Sequence, residues 1–222
     1  MVKRVFATVA VTAALAVGAS TTQVADAEEG CSVSDVDYAV VGNLLVRDTQ
    51  FGAGNGTYPL GAGKVRLRLE HGANGAPGEA KLMSYELDNH LTVKASFALW
   101  STKVVTDSRT TVASACDGAA KGTLQDNDVI WNTQVGGYHS DGTMSCEGNV
   151  CGKFGAPPPG SSPIHESDAV TFKPFHFSPD GRTFAMDYTK VSHTDSPAQT
   201  SFVSLSGREV KRTCVTQQAT CQ

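Results

Sequence analysis

The sequence predicts a single antiparallel all-β domain, either a β-sandwich or a closed β-barrel, stabilised by disulfides. Three observations support this prediction. Apolar and polar residues alternate in short runs, Asn-Gly and Asp-Gly pairs separate many of these runs, and six cysteines follow an export signal. Beyond the export signal, no stretch of a dozen residues keeps apolar side chains at the i, i+3, i+4 and i+7 spacing of an amphipathic helix.

The first 27 residues have the three parts of a secretory signal peptide. Lys3 and Arg4 supply the positive start, residues 5–19 are almost wholly apolar, and Ala25-Asp26-Ala27 has the small-x-small pattern of a cleavage site. The apolar run of about 15 residues is shorter than the ~20 that a membrane-spanning helix needs. We therefore expect residues 1–27 to be removed and an all-β domain of residues 28–222 to be exported, to the periplasm or the extracellular space. No later apolar run is long enough to span a membrane.

Two runs show the alternation of a half-buried strand most clearly. Residues 64–70 place Val65, Leu67 and Leu69 on one face and charged side chains on the other, and residues 182–188 repeat the pattern. Many further runs are rich in Val, Thr, Phe and Tyr, which suit a pleated and half-buried surface. These runs predict strands at 36–47, 80–88, 91–105, 128–135, 138–145, 169–177, 200–205 and 208–215.

Tight turns are predicted where Asn-Gly and Asp-Gly pairs occur, because these residues tolerate the positive φ angles of hairpins. Eight or more strands in a domain of this length must stack as two sheets or close on themselves, and the choice between them stays open. Residues 152–163 come closest to a linker but are too short to separate two domains. The turn pairs lie at 55–56, 74–75, 117–118, 141–142 and 180–181.

All six cysteines lie beyond the cleavage site, and an even number in an exported chain predicts disulfides. Cys146 and Cys151 flank a Gly-Asn turn and are predicted to pair, which would contribute about 2 kcal/mol by the chain-entropy estimate. A zinc site is disfavoured because no C-x2-C motif is present. The pairing of the other four stays open between two schemes: Cys214 with Cys221 and Cys31 with Cys116, or Cys31 with Cys221.

Charge and motifs argue against nucleic acid and against a cofactor. The net charge is −4, and no run of Lys or Arg exceeds two residues, so no basic surface for a phosphate backbone is expected. The glycine-dense stretch 52–63 lacks the spacing and the following helix of a phosphate-binding loop and is predicted to be a hairpin loop. No cofactor is predicted.

Three histidine–carboxylate groupings are the candidates for catalysis or metal binding. Residues two apart share a face of a strand, so His139 with Asp141 would offer two ligands together. An extracytoplasmic hydrolase or metal-dependent enzyme would need two such groupings to meet in one cleft. No G-x-S-x-G motif is present, and no catalytic, cofactor-binding or metal-binding residue is assigned. The other two groupings are His165-Glu166-x-Asp168 and His193-x-Asp195.

The loop that follows Cys151 is the candidate for binding a partner protein. Its three consecutive prolines hold an extended backbone with little entropy left to lose. An aromatic side chain nearby would serve as an anchor. The residues of this predicted partner-binding loop are Lys153, Phe154, Pro157, Pro158 and Pro159.

The leading functional hypothesis is a secreted or periplasmic binding or structural module whose ligand the sequence does not identify. One alternative is the hydrolase or metal enzyme described above. The other is a barrel that holds a small apolar ligand, which would require a wide cavity lined by aromatic side chains. Residues 170–177 carry Phe on both faces of one run, and core packing is the favoured use of these rings. Pro174 indicates an edge strand or a bulge there.

Overall fold

The structure is a computed structural model that describes residues 31–47, 55–72, 78–97, 99–113, 120–131, 135–153, 156–170, 173–192 and 199–215. These residues form an all-β fold of twelve antiparallel strands without a helix, which confirms the predicted fold class. None of them forms a helix long and apolar enough to cross a membrane. The strands are β1 (Val33–Arg47), β2 (Gly56–Pro59), β3 (Gly63–Glu70), β4 (Gly78–Phe97), β5 (Trp100–Ala113), β6 (Lys121–Gln125), β7 (Asp128–Trp131), β8 (Val135–Gly148), β9 (Gly160–Val170), β10 (Phe175–Phe177), β11 (Thr183–Ser192) and β12 (Gln199–Cys214).

Eight of the strands are hydrogen-bonded into a closed ring. The order around the ring is β1, β3, β4, β6, β7, β10, β11, β12 and back to β1, and every neighbouring pair is antiparallel. A closed ring removes the free edges that an open sheet would expose to other chains. The sequence left the choice between a β-sandwich and a closed barrel open, and the strand pairing is that of a closed barrel.

Aromatic side chains pack in the middle of the ring. Tyr38 contacts Phe184 and Phe177 at ring-centroid distances of 5.0 and 5.9 Å. Phe175 stacks on Phe184 at 5.0 Å and meets Trp131 edge-on at 5.0 Å. An eight-stranded ring is just wide enough to be filled by its own side chains. Phe175 and Phe177 therefore serve core packing, the use that the sequence favoured.

The buried hydroxyl of Tyr38 is satisfied by the backbone. It donates to the carbonyl oxygen of Gly181 at 2.9 Å, and burial raises its pKa above the ordinary tyrosine value. Arg212, which lies close by, donates to the carboxylate of Glu209 at 2.8 Å. The Tyr38 hydroxyl thus has a hydrogen-bond partner within the ring.

The outer wall of the ring carries charged pairs set by the strand register. Asp35 lies directly opposite Arg68, and Asp37 directly opposite Arg66. Both arginines bind their partner with two hydrogen bonds, at 2.7 and 3.0 Å for Arg68 and at 2.6 and 3.0 Å for Arg66. The Arg66–Asp37 pair, with side chains 49% and 34% exposed, contributes at most about 1 kcal/mol, whereas Arg68 and Asp35 are only 12% and 23% exposed. Both pairs help to fix the register of the strands.

A second sheet continues beyond the ring because β4 is longer than the ring requires. Residues 79–87 of β4 pair with β3 inside the ring, whereas residues 84–97 pair with β5. β5 then pairs with β8, and β8 with β9, which ends this side of the sheet. We call residues 88–97 together with β5, β8 and β9 the outer sheet. The short strand β2 adds to β1 at residues 43–46, on the other edge.

Several strand boundaries differ from those that the sequence predicts. The runs 80–88 and 91–105 were separated at the wrong place, since β4 continues to Phe97 and β5 begins at Trp100. Asn89 donates its side-chain amide to Thr110 of the neighbouring strand instead of forming a turn. The runs 200–205 and 208–215 are one strand, β12, because Gly207 stays in register with Val40. The run 169–177 is two strands, with Pro174 just before β10.

One predicted turn was also wrong, and some strands were missed. Asp141-Gly142 lies inside β8, where glycine is needed because Asp107 and Ser108 of β5 approach too closely for a side chain. Residues 160–163, the end of the stretch that comes closest to a linker in the sequence, open β9. β2 and β6 were not predicted. The turn at Asp180-Gly181 is confirmed, with Gly181 at a φ of 66°.

Two disulfides lie among the described residues. Cys146 is bonded to Cys151, the pair that the sequence predicted, with an S–S distance of 2.07 Å. Cys31 is bonded to Cys214, a pairing that neither sequence-based scheme contained. The two residues meet because β1 and β12 run antiparallel, with Ser34 opposite Cys214. Outside the described residues lie Cys116, Cys221, the predicted signal peptide and the turn pairs at 74–75 and 117–118.

Candidate functional site

The two faces of the outer sheet differ sharply in charge. Register and alternation place the ionisable side chains of neighbouring strands together on one face, which we call the charged face. Among the described side chains, the opposite face is mainly aliphatic and hydroxyl-bearing, with Trp100 at its far end and Glu166 near the ring, and we call it the uncharged face. The charged face comprises Asp88, His90, Lys94, Lys103, Asp107, Arg109, His139, Asp141, Glu147 and His165; the uncharged face includes Leu91, Val93, Ala95, Trp100, Thr102, Val104, Thr106, Met144 and Ile164.

The histidine–carboxylate candidates fall mainly on the charged face. His139 and Asp141 share this face as predicted, and Nδ1 of His165 lies 2.8 Å from Oδ1 of Asp141 on the neighbouring strand. His165 and Asp141 are 73% and 69% exposed, so this contact lies on an open surface. Glu166 points to the opposite face because its position in β9 alternates with that of His165.

Two further described histidines, His90 and His176, each lie near a different carboxylate and not near the His165–Asp141 pair. His90 lies 3.7 Å from Asp107, and His176 lies 3.0 Å from Asp128 on the ring. No group of three His, Cys, Asp or Glu residues that could hold a metal ion occurs in the described ranges. The pairs therefore do not meet in a cleft there. His193 and Asp195, and the side chain of Asp168, lie outside what the structure describes.

A small cluster of hydroxyl and amide groups lies where the outer sheet leaves the ring. The amide of Asn89 donates to Oγ1 of Thr110 at 2.8 Å and to Oγ of Ser108 at 3.4 Å. Thr110 in turn donates to Ser140 at 3.3 Å, and Ser140 to Ser108 at 3.5 Å. Ser108 and Ser140 are buried. The cluster joins β4, β5 and β8 by hydrogen bonds at a place where the apolar core ends.

The far end of the outer sheet combines the β4–β5 turn with the β8–β9 loop. We call residues 94–97, 99–103, 146–153 and 156–160 the tip. Asn149 joins the two connections, since its Oδ1 accepts from the backbone N–H of Ser101 at 2.9 Å and its Nδ2 donates to the carbonyl of Leu99 at 2.8 Å. One side chain thus holds the β4–β5 turn against the neighbouring loop.

The β8–β9 loop is itself held at several points. The Cys146–Cys151 disulfide closes its base, and Oγ1 of Thr102 lies 3.3 and 3.7 Å from the two sulfurs. The backbone N–H of Gly152 donates to the carbonyl of Pro157 at 2.7 Å. This is the loop that the sequence predicted as a partner-binding loop. Its Lys153, Pro158 and Pro159 are exposed and Pro157 is half-buried, while Phe154 lies outside the described residues.

Large apolar side chains at the tip face the solvent. Leu99 is 89% exposed and Trp100 is 46% exposed. Neither residue was predicted from the sequence as part of a site. A signal was present, because Phe97 to Trp100 is an unbroken apolar run inside a segment that otherwise alternates.

Lysines lie in the same end of the outer sheet, two of them on the face opposite Trp100. Lys94 and Lys103 lie directly opposite each other across β4 and β5, and both line a shallow hollow on the charged face. Nζ of Lys103 is 3.3 Å from a carboxylate oxygen of Glu147. With Lys153 in the loop, the tip contains three lysines and one carboxylate. It is therefore positive in a chain whose net charge is −4.

Comparisons with known protein families, with curated protein sequences and with solved structures found no match for this chain.

Proposed function

We propose that the protein is an exported, disulfide-stabilised binding module whose contact surface is the tip of the outer sheet. The observation that carries the proposal is that Leu99 and Trp100 are exposed on a turn whose backbone is held by Asn149. Single exposed apolar side chains are ordinary, but two adjacent ones beside an exposed proline loop form a patch. Tryptophan is enriched among the residues that dominate binding energy.

The fixed backbone of the tip supports binding as well. A surface loses affinity when its loops must be ordered on contact, and restraining them beforehand lowers that cost. The disulfide between Cys146 and Cys151, the Asn149 bridge and the proline loop all restrain the tip before any partner arrives.

Packing and charge favour this function over the two alternatives. Buried aromatic rings occupy the described interior of the ring, which favours a stable scaffold over a container for a small apolar ligand. The described histidine–carboxylate pairs lie on open surface, where water screens charge and no reacting group would be enclosed. Export is supported by the disulfides, which persist in oxidising compartments.

Site-specific photo-crosslinking in the native source would test the proposal. A photoreactive amino acid is placed at position 99 and, as a matched control, at position 210, where Val210 is 69% exposed on β12. We expect position 99 to give crosslinks to another molecule well above the level at position 210. Mass spectrometry of the adduct distinguishes protein from lipid. Equal crosslinking at the two positions would show that the proposal is wrong.

Replacement of Pro157–Pro159 by Gly-Ser-Gly provides a second test. The Gly152–Pro157 hydrogen bond uses only the carbonyl of residue 157, so the replacement leaves the bond available and the fold intact. The loop would nevertheless become flexible, and we expect weaker crosslinking from position 99 at an unchanged circular dichroism spectrum. Unchanged crosslinking would remove the proline loop from the contact surface.

A further inference from the structure

We propose that the partner of the tip is the surface of an anionic lipid bilayer. This inference rests on the proposed function, because it names the partner class of the same site. It combines the exposed apolar side chains at the end of the tip with the lysines that lie behind them, toward the ring and in the neighbouring loop.

The apolar part of the tip suits the boundary between headgroups and acyl chains. Leu99 occupies the turn itself, farthest along β4 from the ring, and is 89% exposed. Trp100 follows it and is half-exposed. Tryptophan is enriched at membrane interfaces because its ring is largely apolar and its N–H is polar.

The lysines supply the complementary charge. Lys94 and Lys103 face each other across the strands, an arrangement that costs stability in isolation. Glu147 lies near only one of them, at 3.3 Å from Lys103. Long lysine side chains at the flank of an inserted tip can keep their ammonium groups at the headgroups. Each basic residue near an anionic surface strengthens binding by about fivefold.

The size of the tip also favours a lipid surface over a folded protein. The tip is the end of four strands, which makes it about 15 Å across at a strand spacing of ~4.8 Å. A stable protein interface buries about 800 Å² on each partner. An end this narrow offers less than this area to a rigid partner, whereas a bilayer deforms around it.

Vesicle flotation tests the inference on the wild-type protein, recovered after export with its amino terminus read by mass spectrometry. The vesicles are phosphatidylcholine alone, or phosphatidylcholine mixed with phosphatidylglycerol. We expect at least tenfold more protein to float with the anionic vesicles, and high sodium chloride to reduce this, because salt screens the attraction. Wild-type protein that floats no better with anionic vesicles than with neutral ones overturns the inference.

Variants then separate the apolar contribution from the charged one. We expect Leu99→Ser with Trp100→Ser to lower anionic-vesicle binding at least tenfold. The matched control is Val41→Ser with Val210→Ser, which removes 60% and 69% exposed side chains from the ring and should leave binding unchanged. If the tip variant binds as well as the control, the inference fails.

A matched lysine pair tests the charge. We expect Lys94→Gln with Lys103→Gln to weaken binding by about fivefold for each lysine. Lys64→Gln with Lys121→Gln removes the same charge from exposed positions on the ring and should leave binding near the wild-type level. Equal losses in the two variants would show that net charge, and not the tip, attracts the vesicles, and would overturn the inference.

Fluorescence gives a readout that needs no variant. Insertion should shift the emission of Trp100 to shorter wavelength and protect it from iodide, while Trp131, packed against Phe175, stays a constant background. A spectrum unchanged by anionic vesicles counts against the inference.

If position 99 crosslinks to a protein and vesicles do not bind, only the lipid inference is wrong. If neither is seen, the proposed function is wrong too.

Discussion

The ring and the outer sheet share one strand, β4, yet they are stabilised in different ways. Inside the ring, Leu82 and Leu87 of β4 are buried. Past residue 88 the same alternation continues, but Leu91 and Val93 are only half-buried. The comparison shows that alternation alone does not make a core. A core forms where the sheet closes on itself and brings a second layer of side chains against the first.

The outer sheet replaces hydrophobic burial with local restraints. The Cys146–Cys151 disulfide, the Asn149 bridge and the hydroxyl cluster around Ser108 all lie in it. Such restraints fix geometry but remove little apolar area from water, so they add less stability than the core of the ring. We therefore expect changes in the ring to lower global stability and changes in the outer sheet to act locally.

The largest difference is expected between the two disulfides. Cys31→Ser with Cys214→Ser opens a loop of 183 residues and should cost about 5 kcal/mol by the chain-entropy estimate. Cys146→Ser with Cys151→Ser opens a separation of 5 residues and should cost about 2 kcal/mol. Urea unfolding of both variants measures the difference. Equal losses of unfolding free energy would show that the length of the closed loop does not determine how much each disulfide stabilises the protein.

The next largest difference is expected from one substitution made in each region. Leu67→Ala in the ring removes a side chain that is 0% exposed and should cost about 2–5 kcal/mol. Leu91→Ala in the outer sheet removes a half-buried one and should cost about 1 kcal/mol. The free energies of unfolding of the two variants, measured in urea, test this expected difference. A loss at Leu91 as large as that at Leu67 would mean that a second layer covers the outer sheet.

A glycine in the ring tests how tightly the interior is filled. Gly207 is buried directly opposite Phe184, and an added Cβ would overlap the phenylalanine ring. We expect Gly207→Ala to lower stability by about 1–3 kcal/mol, because the packed interior has little room to adjust. The exposed neighbour Ser206→Ala is the control and should stay within about 0.5 kcal/mol in the same thermal or urea unfolding experiment. If Gly207→Ala is neutral, the interior is looser than its contacts indicate.

The smallest expected effect is the pH dependence of hydrogen-exchange protection at two turns, each of which is held by one side chain. A hydrogen bond from the Ser178 hydroxyl, and a second from the backbone N–H of Arg182, hold the pKa of Asp180 below its ordinary value. Its contribution is therefore fully present above about pH 3.9, the unfolded pKa, and is lost as pH falls through the lower folded value. We expect an NMR titration of Asp180 to show the lowered pKa, with hydrogen-exchange protection at Arg182 falling in the same window.

Asn149 provides the comparison in the outer sheet. Its side-chain amide does not titrate. The backbone N–H of Ser101, which donates to Oδ1 of Asn149, should therefore keep its hydrogen-exchange protection over the same pH range. Asp180→Asn should abolish the acid response of the turn in the ring. An acid response that persists in this variant would place the titrating group elsewhere.

The candidate site was only partly predictable. The proline loop was identified because three consecutive prolines are visible in the chain, and Cys146–Cys151 because five positions separate the two residues. Leu99 and Trp100 were missed because the segment 91–105 was assigned to one strand, which hid the turn at its centre. The facing lysines Lys94 and Lys103 become neighbours only through that turn.

Local pattern in the sequence by itself determined that the chain is all-β, which side chains of each run share a face, and which near neighbours form a disulfide. Only the tertiary structure decided that eight strands close into a ring, that Cys31 meets Cys214, and that four strands continue outward to an exposed tip. The physical reason is that a period of two specifies the faces of a strand but not its neighbours. Pairing between distant segments depends on how the whole set of strands buries its apolar faces together.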